Sequence, residues 1–165
     1  MKTIRWFSLL FATVFTVIFS CEKSNILKSN NDSAPLNKSL MLQLVNEQRQ
    51  KGCNCGSVYY PPTTALTWNE QLENAAGEHA TDMDQHNYFS HTGLDGSNAG
   101  DRIRATGYNW MAYGENIAKG YTSEQQVMTA WIQSEEHCIN IMNPSFKDFG
   151  AAKSNLYWVQ EFGSR

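Results

Sequence analysis

Residues 149–162, FGAAKSNLYWVQEF, predict a β-hairpin near the end of the chain. The runs 149–152 and 156–162 have the composition of strands, and Ser154-Asn155 between them is typical of a turn. In the second run, alternate side chains should point to opposite faces of a sheet: 157, 159 and 161 to one, and 158, 160 and 162 to the other. Helical patterns precede this strand pair, and that order along the chain is what indicates the fold class.

Amphipathic helices are predicted upstream of the hairpin from the spacing of apolar residues. The first begins near Asn37 or Ser39 and ends at Gly52. The second follows Asn69, which is predicted to be its N-cap. This helix places His79 on its apolar face, where we expect a core histidine bonded to the backbone.

A third helix is predicted from Ser123, its N-cap, to His137, where it closes. The pattern also puts Arg49 on the more polar side of the first helix. Residues 53–64 are predicted to be a loop, and residues 109–119 an irregular strand. Helices first and strands late indicate an α+β fold.

Composition indicates one mildly acidic domain. The chain has 165 residues with 13 Lys+Arg against 16 Asp+Glu, a formal net charge of −3. Residues 38–165 suffice for a single domain with a sizeable core. Because no basic cluster stands out, nucleic acid is not an expected partner. We expect the domain to be monomeric.

The beginning of the chain has the pattern of an export signal. Lys2 and Arg5 precede an uncharged stretch, residues 6–19, that is 14 residues long. A membrane span needs roughly 20 residues, so this stretch is too short to be one. Residues 1–20 are therefore predicted to be a signal peptide.

The signal ends in Ser20-Cys21, which resembles the cleavage point of a bacterial lipoprotein. Cys21 would then carry lipid and hold the exported protein on the membrane, in the periplasm or at the cell surface. An ordinary cleaved signal is the alternative. Residues 21–37, rich in Ser, Asn and Lys, are predicted to be a flexible tether between the lipid and the domain.

Apart from Cys21, the chain has three cysteines: Cys53, Cys55 and Cys138. In an exported protein an odd number indicates one disulfide and one spare thiol. Cys53 and Cys55 are too close in sequence to pair easily, so one of them is expected to pair with Cys138. That bridge would contribute about 4 kcal/mol in the chain-entropy model. A zinc site built on the same cysteines is the alternative.

Several short strings, in this order along the chain, carry a resemblance to a known family. They are Leu66-Thr67-Trp68-Asn69, His79-Ala80-Thr81-Asp82-Met83, Phe89-Ser90-His91, Gly114-Glu115-Asn116-Ile117-Ala118, Trp131-Ile132-Gln133-Ser134, His137-Cys138-Ile139-Asn140-Ile141-Met142 and Tyr157-Trp158-Val159-Gln160-Glu161-Phe162-Gly163. Together they resemble the CAP superfamily, also called SCP-like, and its bacterial branch in particular. The resemblance implies a three-layer α-β-α sandwich with a small antiparallel sheet over residues 38–165.

The resemblance also implies a central cavity lined by two histidines and two acids. His91 and His137 match the histidines, and Glu115 matches the first acid. The plant and animal pattern places the second acid where this chain has Ser134. Either Glu135 takes that place, or the site has three members together with Ser134.

Two further residues are expected to support this cavity. Asn116 follows Glu115 in the matching string, and Arg102 lies in a segment resembling one seen in bacterial members. We expect Arg102 to anchor the loop that presents His91, through Asp101 or the loop backbone.

Three kinds of chemistry are compatible with such a cavity. His91 and His137 could hold zinc or another divalent metal, and with Glu115 they could form a metal-assisted, peptidase-like hydrolase. Ser134, one helical turn before His137, suggests a serine hydrolase, but a helical serine lacks the exposed turn and oxyanion donors this needs. The cavity could instead be purely structural.

A non-enzymatic binding or scaffolding module is the preferred interpretation, because no distinct general base or nucleophile is identifiable. Domains of the resembled family mostly lack an established enzymatic activity, and several bind lipids, sterols or proteins. The expected ligand is therefore an envelope lipid, a glycan or a protein.

Overall fold

The computed structural model describes residues 35–165. The predicted signal peptide (1–20), Cys21 and most of the predicted tether (21–37) lie outside the described residues. Among the helices of the described part, none combines the length and the apolar character that crossing a membrane requires. In chain order the elements are α1 Lys38–Lys51, β1 Cys53–Cys55, β2 Val58–Tyr60, β3 Thr67–Trp68, α2 Glu70–Gln85, α3 Ala99–Ala105, β4 Ala112–Lys119, α4 Glu124–Gln133, α5 Glu135–Met142, β5 Asp148–Ser154 and β6 Tyr157–Ser164.

Four strands form the sheet that positions the site, in the order β3-β5-β6-β4. The predicted hairpin is confirmed as β5 and β6, which pair antiparallel from Ser154↔Tyr157 onward. Strand β4 pairs antiparallel with the other side of β6 and sets Glu115 opposite Glu161. The short β3 runs parallel to β5, so the sheet is mixed rather than wholly antiparallel.

Helix α2 covers one face of this sheet. Its Ala76, Ala80 and Met83 are fully buried and pack with Ile117 of β4 and Val159 of β6. Burial of apolar surface contributes about 25 cal/mol per Å², so these contacts stabilise the packing of α2 on the sheet.

Helices α1, α4 and α5 cover the opposite face. Met41 of α1 and Trp131 of α4 belong to the same buried cluster as Trp158 and Phe162 of β6. Val159 faces α2 while Trp158 and Phe162 face away from it, so the predicted alternation along β6 is confirmed. The result is the three-layer α-β-α arrangement.

Gly150 of β5 allows α2 to lie unusually close to the sheet. A Cβ atom built at this position would lie 2.1 Å from the backbone nitrogen of Glu73 and 2.5 Å from the carbonyl carbon of Leu72. Any side chain here would collide with backbone that cannot rotate away. The distance between α2 and the sheet, and with it the position of His79, therefore depends on this glycine.

The predicted helix starts are confirmed. The side chains of Asn37, Asn69 and Ser123 each accept hydrogen bonds from backbone N–H groups in the first turn of α1, α2 and α4. The predicted end of the third helix is wrong, because α4 stops at Gln133 and Ser134 has an extended backbone, φ −96° and ψ 121°. Serine favours such junctions, since its hydroxyl can bond locally in place of the helical pattern.

Two other predictions are corrected. Residues 53–64 contain the two-stranded hairpin β1–β2 rather than a simple loop. Arg49 is fully buried rather than on a polar side of α1. Its guanidinium donates to the carbonyls of Thr64 at 2.7 Å, Ile141 at 2.7 Å and Asn143 at 2.9 Å, and these bonds make burial of the charge tolerable.

Candidate functional site

Glu115 lies at the centre of a buried polar network. It projects from β4 and is almost completely buried. Its Oε1 is 2.6 Å from Nδ1 of His91, and its Oε2 is 2.6 Å from Nη2 of Arg102. Burial alone would raise the pKa of Glu115, but the hydrogen bond from His91 and the charge of Arg102 outweigh it and hold the pKa below its usual value.

Arg102, on α3, fixes both this carboxylate and the loop that carries His91. Besides its bond to Glu115, its guanidinium donates to the carbonyl of His91 at 3.1 Å and to that of Ser97 at 3.0 Å. Asp101 does not pair with it; that side chain instead completes a capping box with Asn98 at the start of α3. The loop is thus held at both ends by one cation.

His91 is the exposed end of the network, with 58% of its side chain accessible to solvent. Because an ionised carboxylate only accepts hydrogen bonds, Nδ1 of His91 carries the hydrogen that it donates to Glu115. That bond raises the pKa of His91 above its ordinary value. Among the described residues, none bonds to Nε2 of this ring, which leaves that edge available to a ligand.

His137 approaches from α5, on the other side of β4. Its Nδ1 lies 2.8 Å from the hydroxyl of Ser134, at the junction between α4 and α5. Burial lowers the pKa of His137, and the nearby positive charge of His91 lowers it further. The two imidazoles are thus biased in opposite directions, His91 towards its charged form and His137 towards its neutral form.

Asn116 attaches α5 to the sheet. Its fully buried amide donates to the carbonyl of His137 at 3.2 Å and to Oε1 of Gln160 at 3.1 Å. Asn140 of α5 donates in return to Oδ1 of Asn116 at 3.0 Å and to the carbonyl of Glu115 at 3.1 Å. These bonds fix α5 against β4, and with it the position of His137 relative to Glu115.

The side chain of Glu135 extends towards the β1–β2 hairpin. Its carboxylate lies beside Gly56 in the turn of the β1–β2 hairpin, so close that a Cβ atom at Gly56 would be 2.4 Å from Oε2. Glu136 is the acid whose charge acts on both His91 and His137. The position next to Ser134 therefore does not bring a second carboxylate into the network, whereas the following residue contributes charge.

Two residues of the network were not among the sequence candidates. His79 lies with Nε2 3.8 Å from Oε2 of Glu115 and 2.9 Å from the carbonyl of Ser90, so the expected backbone bond is present. Glu161 faces Glu115 across the strands and is fully buried, with neither carboxyl oxygen bonded to a described residue. Burial and the charge of Glu115 raise the pKa of Glu161 well above its usual value, which favours its neutral form.

The alternation of side chains along the terminal hairpin could have identified Glu161 as a candidate. It put this residue on the same face as Val159, which is a core position, and a carboxyl group on a core face needs an explanation.

The donor atoms available for a metal are limited. Both oxygens of Glu115 are engaged, so this carboxylate does not fit the role of a free ligand. The unbonded Nε2 atoms of His91 and His137 do fit. Within residues 35–165 the one group of three close potential ligands is the sulfur set of Cys53, Cys55 and Cys138, and two of these sulfurs are bonded to each other.

The cysteines form one bridge, as predicted, and the partner of Cys138 is Cys55. The disulfide joins β1 to α5 across 83 residues of sequence. Cys53 remains a partly exposed thiol. The bridge therefore ties the β1–β2 hairpin to the helix that carries His137.

Comparison with known proteins gives a consistent result. Residues 42–162 match the family described as CAP, the cysteine-rich secretory protein family. The uncharacterized protein YkwD of Bacillus subtilis is 31% identical over 145 residues, covering 87% of this chain and 53% of the relative. The uncharacterized membrane protein YlbC of the same organism is 29% identical over 100 residues, covering 61% of this chain and 29% of the relative. The chain thus spans about half the length, or less, of these relatives.

Solved structures share the fold. An extracellular protein of Bacillus anthracis that contains an SCP domain is 25% identical, with a TM-score of 0.69 over 78% of this chain and 40% of that one. An outer surface protein of Borrelia burgdorferi is 23% identical, with a TM-score of 0.65 over 77% of this chain and 91% of that one.

Proposed function

Because the chain belongs to the CAP family of cysteine-rich secretory proteins, we propose that it is an exported binding domain. Its ligand is a polar component of the cell envelope: a lipid headgroup, a glycan or a peptide. The site formed by His91 and His137, with Glu115 orienting His91, recognises this ligand and does not transform it.

The observation that carries the proposal is the state of Glu115. Its two oxygens are bound by His91 and Arg102, and its pKa lies below the usual value. A general base needs a free lone pair and a pKa near the working pH. Glu115 has neither property, so it acts as an anchor that orients His91.

The contacts of Ser134 argue in the same direction. In a serine hydrolase, one nitrogen of the histidine activates the serine and the other is oriented by an acid. Here Ser134 occupies Nδ1 of His137, and among the described residues no carboxylate bonds to the other nitrogen. The arrangement fixes the ring of His137 and leaves Nε2 for a ligand.

The surroundings of His91 suit a ligand with both polar and apolar parts. Phe89 and Leu94, on either side of His91 along the loop, are 50% and 64% exposed. Exposed large apolar side chains next to polar groups often mark a binding surface. A cationic imidazole beside them would donate a hydrogen bond to a phosphate, carboxylate or hydroxyl oxygen.

Export is supported by the relatives and by the sequence. Two structural neighbours are described as an extracellular protein and an outer surface protein. Residues 1–21 have the pattern of a lipoprotein signal. We propose that lipid on Cys21 holds the domain at the membrane, close to its ligand.

A metal-assisted hydrolase is the second candidate, and the observation that favours it is that both imidazoles are bonded through Nδ1, which leaves each Nε2 free of a described partner. Nε2 of His91 and Nε2 of His137 would hold a divalent metal such as zinc. A bound metal of this kind lowers the pKa of water and so supplies a nucleophile.

One set of proteins separates the two functions. The full-length Cys21→Ser protein would be compared with the same protein carrying His91→Ala and His137→Ala together, and with His86→Ala, which removes an exposed histidine just after the end of α2. Binding would be measured against phosphatidylglycerol vesicles, peptidoglycan fragments and zinc chloride, and hydrolysis against casein.

We expect the parent and His86→Ala to bind an envelope probe, the double variant to lose that binding, and none of the three to cleave casein. Casein cleavage that needs His91 and His137 together with stoichiometric zinc would establish the hydrolase instead. Equal binding of every probe by all three proteins would contradict both functions.

A further inference from the structure

Three sulfur atoms lie together where the β1–β2 hairpin meets α5. The thiol sulfur of Cys53 is 3.4 Å from the sulfur of Cys138 and 4.0 Å from that of Cys55. Cys53 and Cys55 are two residues apart on β1, so their side chains point to the same face, towards α5. The free thiol therefore touches the disulfide of its own chain.

We propose that this disulfide is exchangeable, and that Cys138 alternates between Cys55 and Cys53 as its partner. Thiolate attack on a disulfide sulfur is the general route by which disulfides rearrange. The Cys53 thiol first loses its proton to solvent, a turn of its side chain brings its sulfur into line with the Cys55–Cys138 bond, and this sulfur then attacks the sulfur of Cys138. A new Cys53–Cys138 bond forms as the Cys55–Cys138 bond breaks.

The electron pair of the broken bond goes to the sulfur of Cys55, which takes up a proton. No oxidant or reductant is consumed, because the number of disulfides and thiols is unchanged. The two isomers differ only in which residue of β1 is attached to α5.

The exchange would make the disulfide accessible to reductants in solvent, because Cys53 is more exposed than the two bridged cysteines. Cys55 and Cys138 are 0% exposed, whereas Cys53 is partly exposed. A thiol reductant in solvent has no direct access to the sulfurs of the Cys55–Cys138 bridge. After exchange, one sulfur of the bridge belongs to Cys53 and can be attacked from outside. Cys53 is thus the entry point through which small dithiols, or the exposed thiol of a redox protein, reduce the bridge.

The environment of Cys53 makes this entry slow rather than immediate. Burial raises the pKa of the Cys53 thiol, so only a small part of it is thiolate near neutral pH. Uncatalysed disulfide rearrangement in proteins takes on the order of minutes to hours. The bridge would therefore persist on its own and still be open to reduction by a redox partner.

The test uses the full-length chain with Cys21→Ser, so that only the three sulfurs in question remain. The protein is reduced with dithiothreitol under native conditions, and the loss of the bridge is followed by alkylation and mass spectrometry. Cys53→Ser keeps the Cys55–Cys138 bridge but removes the attacking thiol, and we expect its reduction to be at least ~10-fold slower.

Cys55→Ser provides the second measurement. If β1 can place Cys53 on Cys138, this variant forms the Cys53–Cys138 bridge during aerobic purification, with no added oxidant beyond oxygen. Fragmentation of the alkylated peptide that contains Cys53 and Cys55 should also reveal a minor population of the parent with its free thiol at Cys55. Equal reduction rates for the parent and Cys53→Ser, with two free thiols in Cys55→Ser, would overturn the proposal.

Discussion

Replacing Glu115 by glutamine tests whether one ionised carboxylate holds the site together. The substitution keeps the size and shape of the side chain but replaces one acceptor oxygen with an NH2 group. That group must face either Nδ1–H of His91 or Nη2 of Arg102, and both of these are donors. Either one of the two short bonds is lost, or His91 changes tautomer so that Nδ1 accepts; in both cases Arg102 loses the charge of its acceptor.

The cost follows from the structure. Each hydrogen bond to a charged group contributes about 1.5–3 kcal/mol, and removing one partner of a buried ion pair costs about 3–5 kcal/mol. Arg102 is buried and Glu115 is its one salt-bridge partner among the described residues, so the higher range applies. We expect Glu115→Gln to lower the free energy of unfolding by about 3–5 kcal/mol.

Glu161→Gln is the matched control. Glu161 lies opposite Glu115 in the register and is also buried, but burial and the charge of Glu115 raise the pKa of its carboxyl group and favour the neutral form. The same substitution there removes no charge, and we expect a change of less than about 1 kcal/mol. Urea denaturation followed by tryptophan fluorescence gives both values, provided that the slope of the transition stays constant.

Imidazole NMR titrations add an independent readout for the same variant. Without the carboxylate, the pKa of His91 should fall from its raised value, whereas Glu161→Gln should leave it raised. Equal urea midpoints for the two variants, or an unchanged pKa of His91 in Glu115→Gln, would show that the network is not held by this charge.

Three further predictions follow from the same contacts. Gly150→Ala forces a methyl group into the backbone of Glu73 and should cost about 3 kcal/mol or more, measurable by thermal unfolding; an unchanged melting temperature would mean that α2 can move away from the sheet. Cys138→Ser removes both possible bridges and should lower the free energy of unfolding, measured in urea, by about 4.5 kcal/mol. Cys55→Ser should lower it clearly less, and equal losses would count against exchange. In NMR titrations the pKa of His91 should lie above the ordinary value of 6.5 and that of His137 below it. The stability that the His91 proton contributes is therefore present below pH 6.5 and is lost as pH rises through the raised pKa. The reverse order of the two pKa values would contradict the assignment.

The elements with a strong local signal could be predicted from the sequence. The alternation along β6 and the turn at Asn155 predicted the hairpin, and Asn69 predicted the start of α2, because these features depend on neighbouring residues. The odd number of cysteines, and the closeness of Cys53 and Cys55 in sequence, predicted a single bridge to Cys138. It did not distinguish Cys53 from Cys55, because both lie on the same face of one strand.

The errors concern residues whose partners are distant in sequence. Arg49 was expected on a polar side because periodicity does not reveal that carbonyls more than 90 residues away would bind its guanidinium. The break at Ser134 was missed because the apolar spacing continues across it, and its contact with His137 is not visible in the periodicity. The resemblance identified Glu115, but the pairing with Arg102 and the raised pKa of Glu161 depend on how the strands and α3 come together.

Strand β4 lies at the edge of the sheet, and two of its carbonyl groups accept hydrogen bonds from side chains of the helical layer. The carbonyl of Glu115 accepts from Asn140, and that of Ile117 accepts from the indole of Trp131 at 3.3 Å. The opposite edge is β3, which is two residues long. An open sheet edge is a template on which further chains can add and grow into aggregates. The side chains of Asn140 and Trp131 thus occupy two acceptors that an added strand would need, which hinders growth of this sheet at its β4 edge.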